Sequence, residues 1–344
     1  MQIEQYLPRQ QLVTKTSTIA KPRFPVIDAH NHLCQVFGGY WNRRPIAEFI
    51  DVLDRADVRM IVDLDGGWGD ALRQTHRQHY ALHIPDRVKL FGGVEWDQWQ
   101  VRGGEFASWA AESFKQQVAE GAVGLKIWKP FGLHIRNPEG VVGHVDDVRL
   151  DPIWAMAGTL GVPVLVHVGD PIAFFDPIDQ YNERYEELHA HPDWHFPSPP
   201  FPPVLSILEA FKRVTKRHAQ TTFIIAHVGC YAENLGWVAQ WLDECPNVVI
   251  DFSARIAELG RQPYSARKFF ITYADRILFG TDLPVDLAMY QLHYRFLESD
   301  DEYFAYHHTD DAPPQGRWRI YGLYLPDDVL AKIYYRNAER ILHL

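Results

Sequence analysis

Cysteine is scarce in this chain: Cys34, Cys230 and Cys245 are the only three in 344 residues, they form no C-x-x-C pair and they cannot divide evenly into bridges. A disulfide framework is thereby excluded, and a reducing compartment fits best. Basic charge is also in deficit, with 34 Lys plus Arg against 44 Asp plus Glu, a formal net of −10, and no long basic run. Nucleic acid and anionic membranes are poor partners for such a surface. No stretch approaches 18 uninterrupted apolar residues, and the first 25 residues mix Gln, Arg, Lys and Thr without an apolar segment. Neither a membrane span nor a secretory signal is expected, so the chain reads as soluble and cytoplasmic, with a small molecule as its substrate.

What is present is ordinary for a folded chain: 47% hydrophobic and 23% charged residues, with 13% aromatics including 11 Trp that suit thick packing or apolar pocket walls. The length would allow two domains, but alternating α/β barrels run from about 200 to over 400 residues as one. Eight apolar strand-like runs recur, at about 26–32, 59–65, 88–96, 123–129, 162–168, 221–229, 247–253 and 277–282. Most are too apolar to alternate, as buried parallel strands are. Between them lie amphipathic helical stretches such as Ile46, Phe49, Ile50 and Leu53, or Leu205, Leu208 and Phe211, with Pro45 and Pro203 near helix starts. A last helix from about Pro326 to Leu342, carrying Val329, Ile333, Ala338 and Ile341, is expected on the barrel's outside or bottom.

This pattern predicts an α/β fold, a distorted TIM (β/α)8 barrel, as a single domain over 1–344 with an amino-terminal arm at 1–25. Two loop insertions interrupt it. The one after strand 5, about 170–203, is rich in Pro, His, Trp, Phe and Tyr and reads either as a substrate-covering lid or as a packed surface excursion. The one after strand 8, about 299–325, includes His307, His308, Pro313 and Pro314 and reads equally as an interface or a lid. Both insertions would suit a homo-oligomer.

The chemistry begins with His30 and His32 in Val-Ile-Asp-Ala-His-Asn-His. Side chains alternate along a strand, so two imidazoles two residues apart point the same way. His167, His227 and Asp282 each come at or near the end of another apolar run, in Val-Leu-Val-His, Ile-Ile-Ala-His and Ile-Leu-Phe-Gly-Thr-Asp. All strands of a parallel barrel open their carboxyl ends on one face, where these residues converge. A lone His-x-His is a weak signal, but the conjunction points to one divalent metal site, with zinc, manganese or iron as candidate ions. Asp28, two residues before His30, is a further candidate as a ligand, an acceptor behind one, or a packing carboxylate.

With Asp28-Ala-His30-Asn-His32, Lys126 in Gly-Leu-Lys-Ile, His167, His227 in Ala-His-Val-Gly and Asp282 in Phe-Gly-Thr-Asp, the sequence resembles the amidohydrolase superfamily. Within it, the chain is similar to the branch of aminocarboxymuconate-semialdehyde decarboxylase, resorcylate decarboxylases and several lactonases. The resemblance implies that His30, His32, His167 and Asp282 hold one divalent metal and that His227 faces the substrate or its polarised oxygen. It also implies that Asp282 accepts a proton from the attacking water, so Asp282 and His227 are the expected catalytic residues. Lys126, which shares a strand face with Trp128, is ambiguous. In binuclear relatives a carboxylated lysine bridges two metals, whereas in mononuclear ones a lysine pairs with a carboxylate or binds an anionic substrate; one metal is expected here.

Arg255, in Asp-Phe-Ser-Ala-Arg after strand 7, is expected either to grip a substrate carboxylate or hydroxyl or to form a salt bridge at the rim. Lys126, Arg255 and Trp128 form the candidate substrate set. Asp65, Glu95, Asp97 and Asp170 also follow strands, and Trp41, Arg43 and Arg44 lie in the first loop, in reach of a pocket or simply solvated. Cys34 and Cys230 read as buried small hydrophobes. The expected reaction is hydrolysis of a lactone, ester or amide by metal-activated water. The alternatives are decarboxylation of an aromatic or unsaturated acid in the same pocket, and a degenerate barrel without catalysis.

Overall fold

A computed structural model describes residues 5–34, 39–307 and 313–344; His308 lies outside them. Eight strands follow one another in chain order around a single parallel sheet. They are β1 (Val26–Asn31), β2 (Val58–Asp63), β3 (Val88–Gly92), β4 (Ala122–Ile127), β5 (Val164–Val166), β6 (Phe223–Ile225), β7 (Val248–Asp251) and β8 (Ile277–Leu278). The seam between β8 and β1 closes through Ala29 N–H to Phe279 O and Asp282 N–H to His30 O, each 2.9 Å. Gly280 makes that approach possible, because a Cβ there would lie 2.8 Å from the Cβ of His30. The chain is a TIM barrel.

Core packing divides into two shells. Val26, Phe49, Val166, Phe211 and Ile250 belong to the shell between strands and helices, where the helix Ile46–Ala56 buries Phe49, Leu53 and Ala56. Inside the barrel, Ile27, Met60, Val62, Ile224 and Leu278 pack against Ala338, Ile341 and Leu342, so the final helical segment plugs the lower end. That segment is a run from Asp327 to Leu342 whose middle, Lys332–Arg336, widens into a π-turn.

Two expectations need correction. Leu205 is 42% exposed; the helix Val204–Arg217 buries Leu208 and Phe211 as the spacing predicts, with Val204 and Ile207 completing the stripe in place of Leu205. Strands 3, 5, 6, 7 and 8 are also shorter than their apolar runs. After Ile225 the backbone leaves the extended region, with φ of 57° at both His227 and Val228, and Asp282 has φ 51°. Left-handed non-glycine residues of this kind cost roughly 1–3 kcal/mol each and persist only where surroundings over-determine them.

The arm docks on the rest of the fold. Lys15 pairs with Asp300, Ser17 binds Asp301 through both its N–H and its hydroxyl, and Arg23 reaches Glu298 and Asp327. Among the described residues, no helix is long and apolar enough to cross a membrane.

Candidate metal centre

Three imidazoles converge on one carboxylate at the upper mouth of the barrel. His30 Nε2 lies 3.8 Å from Asp282 Oδ2, His32 Nε2 lies 3.6 Å from Oδ1, and His227 Nε2 lies 3.6 Å from Oδ2. The potential ligand atoms of His30, His227 and Asp282 all fall within 4.8 Å of one another. His167 stands next to this group: its Nδ1 is 3.3 Å from His227 Nε2, and its Nε2 faces Asp170 Oδ1 at 3.4 Å. All five residues singled out by their strand-end positions thus share one mouth, and His227 sits closer to the donor cluster than His167 does.

Behind each ring is an acceptor. His30 Nδ1 donates to Asp251 Oδ2 at 2.9 Å, His32 Nδ1 to Asp65 Oδ1 at 3.0 Å, and His227 Nδ1 to the Ser253 carbonyl at 2.8 Å. Each of these bonds puts the ring proton at the rear and leaves the Nε2 lone pair facing Asp282. The Nε2 atoms of His30 and His167 are buried and have no hydrogen-bond partner. The Nε2 atoms of His30, His32 and His227 around one anionic carboxylate, each ring backed by an acceptor at Nδ1, fit a divalent cation.

Electrostatics agree with that fit. Burial drives His32 down to about 3 and His167 to about 4, and pushes His227 well below the ordinary imidazole value, so these rings are neutral at pH 7. Burial raises Asp282, but the neighbouring His30, His32 and Lys126 outweigh it and hold its carboxyl below the usual range. Asp251 is likewise raised by burial yet brought down to about 2 by His30 and its hydrogen bonds.

Asp28 is not part of the donor cluster. Its carboxylate accepts from Thr281 N–H (3.1 Å), Thr281 Oγ1 (2.6 Å), Asn31 Nδ2 (3.1 Å) and Tyr290 OH (2.9 Å). It staples the seam and fixes the backbone just before Asp282. Cys34, Asp63 and Asp65 form a second compact buried group. Its carboxylates are engaged by Leu33 N–H, Cys34 N–H, His32 and His76, so it shapes the loop that carries His32.

Above the cluster opens a cavity of about 340 Å³. Trp68 and Trp128 form one wall, edge to face at 5.3 Å, and the Trp68 ring lies 4.4 Å from that of His32. Lys126 reaches the floor, buried and with no hydrogen-bond partner at Nζ; burial lowers it to about 8 against the pull of Asp282. Gly67 in the loop after β2 is required there, since a Cβ would come within 2.7 Å of Lys126 Cγ. Arg255 also lines the cavity, and Cys230 is buried, its thiol pushed up to about 12.

Both insertions cover the opening. Asp170, Phe174, Arg184 and Glu187 from the first, and Pro314 and Gln315 from the second, line the cavity. Arg184 is buried between Glu187 and Glu258, while Glu183 pairs with Arg261 and Glu186 with Arg317, tying the first insertion to the loops after β7 and β8. Asp170 is held by Lys129 at 3.1 Å.

Other candidates lie elsewhere. Glu95 pairs with Arg73, Asp97 is exposed, and Trp41 is buried against Phe49 under the Arg44 guanidinium. The residues that sequence reasoning passed over are Trp68, Arg184 and Ser253, and Asp251 as the partner of His30. Asp251 and Ser253 carried a usable signal, since they end a strand as the histidines do; Arg184, deep in an irregular insertion, carried none.

The sequence matches the family model described as Amidohydrolase over residues 27–344. No curated protein matches it significantly. Among solved structures, a putative amidohydrolase from Staphylococcus aureus is 17% identical, with a TM-score of 0.59 over 93% of this chain and 100% of that one. A dihydroxybenzoic acid decarboxylase from Polaromonas sp. JS666, with bound manganese and the inhibitor 2-nitroresorcinol, is 15% identical with a TM-score of 0.57, covering 93% and 97%. A probable 2-pyrone-4,6-dicarboxylic acid hydrolase from Acinetobacter baumannii, with citric acid bound, is 12% identical with a TM-score of 0.52, covering 93% and 100%. Likeness at these identities concerns the fold.

Proposed function

The chain belongs to the amidohydrolase family, and from that premise we propose that it is a metal-dependent hydrolase that opens a C–O or C–N bond of a small lactone, ester or amide. The observation that carries this reading is the single carboxylate, Asp282, faced by three ring nitrogens and still open to the cavity with a fifth of its side chain exposed. His30, His32, His227 and Asp282, with His167 beside them, would hold one divalent ion, with zinc, manganese and iron as the candidates. When bound, such an ion polarises a substrate carbonyl and brings the pKa of a water it holds toward about 7.

The chain's own residues supply the rest. Asp282, kept ionised, takes up the proton that the attacking water loses. His227, with Nδ1 held by the Ser253 carbonyl and Nε2 facing the same carboxylate, would serve the ion rather than the reacting oxygen. Lys126 and Arg255 offer donors to an anionic group on the substrate, and Trp68 and Trp128 present one aromatic wall to its apolar body. The two insertions keep bulk water from the mouth.

The second reading is decarboxylation, and one observation favours it: the buried, unpartnered Lys126 amine beside Asp282 is suited to hold a carboxylate. Structures of similar fold include a decarboxylase as well as a pyrone hydrolase. A screen of lactones, esters, amides and aromatic acids with metal-loaded protein, run in parallel in H₂¹⁸O and in D₂O, separates the two. Solvent ¹⁸O in the product supports hydrolysis, while carbon dioxide release with solvent deuterium at carbon overturns it in favour of decarboxylation.

A further inference from the structure

Asp251, at the end of β7, touches no part of the cavity, yet every bond it makes ends on a residue of the metal cluster or its support. Oδ2 accepts from His30 Nδ1 at 2.9 Å. Oδ1 accepts from the backbone N–H of His227 at 3.0 Å, from Ser253 N–H at 3.1 Å and from Ser253 Oγ at 2.5 Å. Ser253 Oγ in turn lies 3.0 Å from both His30 Nδ1 and His227 Nδ1. One carboxylate and one serine therefore bridge imidazoles that come from strands β1 and β6, and the same carboxylate anchors the left-handed turn at His227.

We infer that Asp251 is a positioning residue that keeps the ring proton of His30 on Nδ1 and pins the backbone of His227, so that both Nε2 lone pairs meet at Asp282. The inference rests on the proposed metal centre but goes beyond it, because it assigns two donors to one group that never contacts the ion. An isosteric amide sharpens the argument. In Asp251→Asn the amide oxygen is claimed by the three donors at Oδ1, so the NH₂ faces His30 Nδ1. Two donors cannot share that gap, and the His30 proton moves to Nε2, which removes the lone pair that faces Asp282. Asp65, which backs only His32, provides the comparison.

The test uses the full chain stripped of metal. Long-range ¹H–¹⁵N NMR of the imidazoles is expected to show Nδ1 protonated in His30 and His227 of the wild type, and Nε2 protonated in His30 of Asp251→Asn. Zn²⁺ titration against a chromogenic chelator is expected to show affinity lowered by about 100-fold in Asp251→Asn and about tenfold in Asp65→Asn, since a partner that orients a ligating histidine is worth about 10- to 100-fold in affinity. A wild-type His30 protonated on Nε2 overturns the inference without recourse to any variant. So does folded Asp251→Asn that binds Zn²⁺ as tightly as wild type. Wild type that takes up neither Zn²⁺ nor Mn²⁺ overturns the metal centre instead, and the NMR result then decides the role of Asp251 separately.

Discussion

The two ends of the barrel interior are built from the same eight strands and obey different rules. At the lower end Ile27, Met60, Ile224 and Leu278 close on Ile341 and Leu342, an apolar layer with nothing to satisfy. At the upper end the strands deliver His30, Lys126, His227 and Asp251 into equally deep burial, where unpaired nitrogens and left-handed backbone at His227, Val228 and Asp282 accumulate. The lower end stabilises by area removed from water, and the upper end holds polar groups in place at a cost that the rest of the fold offsets. The same contrast separates what a substitution does: below, it changes stability; above, it changes binding and chemistry.

The comparison can be broken first at Asp282. Asp282→Asn is expected to lower turnover by about 10²- to 10⁴-fold, with its melting temperature near that of wild type, in steady-state assays on whichever substrate the ¹⁸O screen identifies; turnover near wild type removes Asp282 as proton acceptor. Its counterpart below is Ile341→Ala, expected to cost about 2–5 kcal/mol in urea unfolding while Zn²⁺ affinity of the folded protein is unchanged. A loss of affinity there would mean that the two ends are coupled.

Tyr290→Phe probes the seam between them. It leaves Asp28 one donor short in full burial and is expected to cost about 1–3 kcal/mol, read by the same unfolding assay.

Lys126 sharpens the contrast through pH. Its amine is lowered to about 8 in the folded protein from an ordinary 10.5, so between those values the unfolded chain binds the extra proton and Lys126 contributes a stability of the metal-free protein that rises with pH. Lys126→Met is expected to remove that contribution from the pH dependence, and a pH dependence identical to wild type would show that the amine is not desolvated. The smallest effect is expected at the rim: Glu183→Gln loses a partly exposed pair with Arg261 and is expected to shift stability by no more than about 1 kcal/mol. A larger shift would mean that the insertion is welded to the barrel rather than resting on it.

Much of this is legible in the sequence. Apolar runs long enough for a strand and separated by helical periodicity announced eight β-α units, and His30, His32, His167, His227 and Asp282 each stood at the end of one. Strand ends were misjudged where the residues kept their hydrophobicity but the backbone turned, as after Ile225, because composition does not report φ. Leu205 was misplaced for a related reason: one residue of rotation exchanges an inward leucine for an outward one.

The sequence by itself determined the barrel and the set of metal-competent side chains, because strand hydrophobicity and residue type are local properties. Only the tertiary structure decided how those side chains are arranged. That His227 stands nearer Asp282 than His167 does, that Asp251 backs His30, that Asp28 serves the seam and that Arg184 reaches the cavity all depend on residues far apart in the chain. Closure of the barrel brings these groups to one mouth, and no local pattern encodes a distance across a closed cylinder.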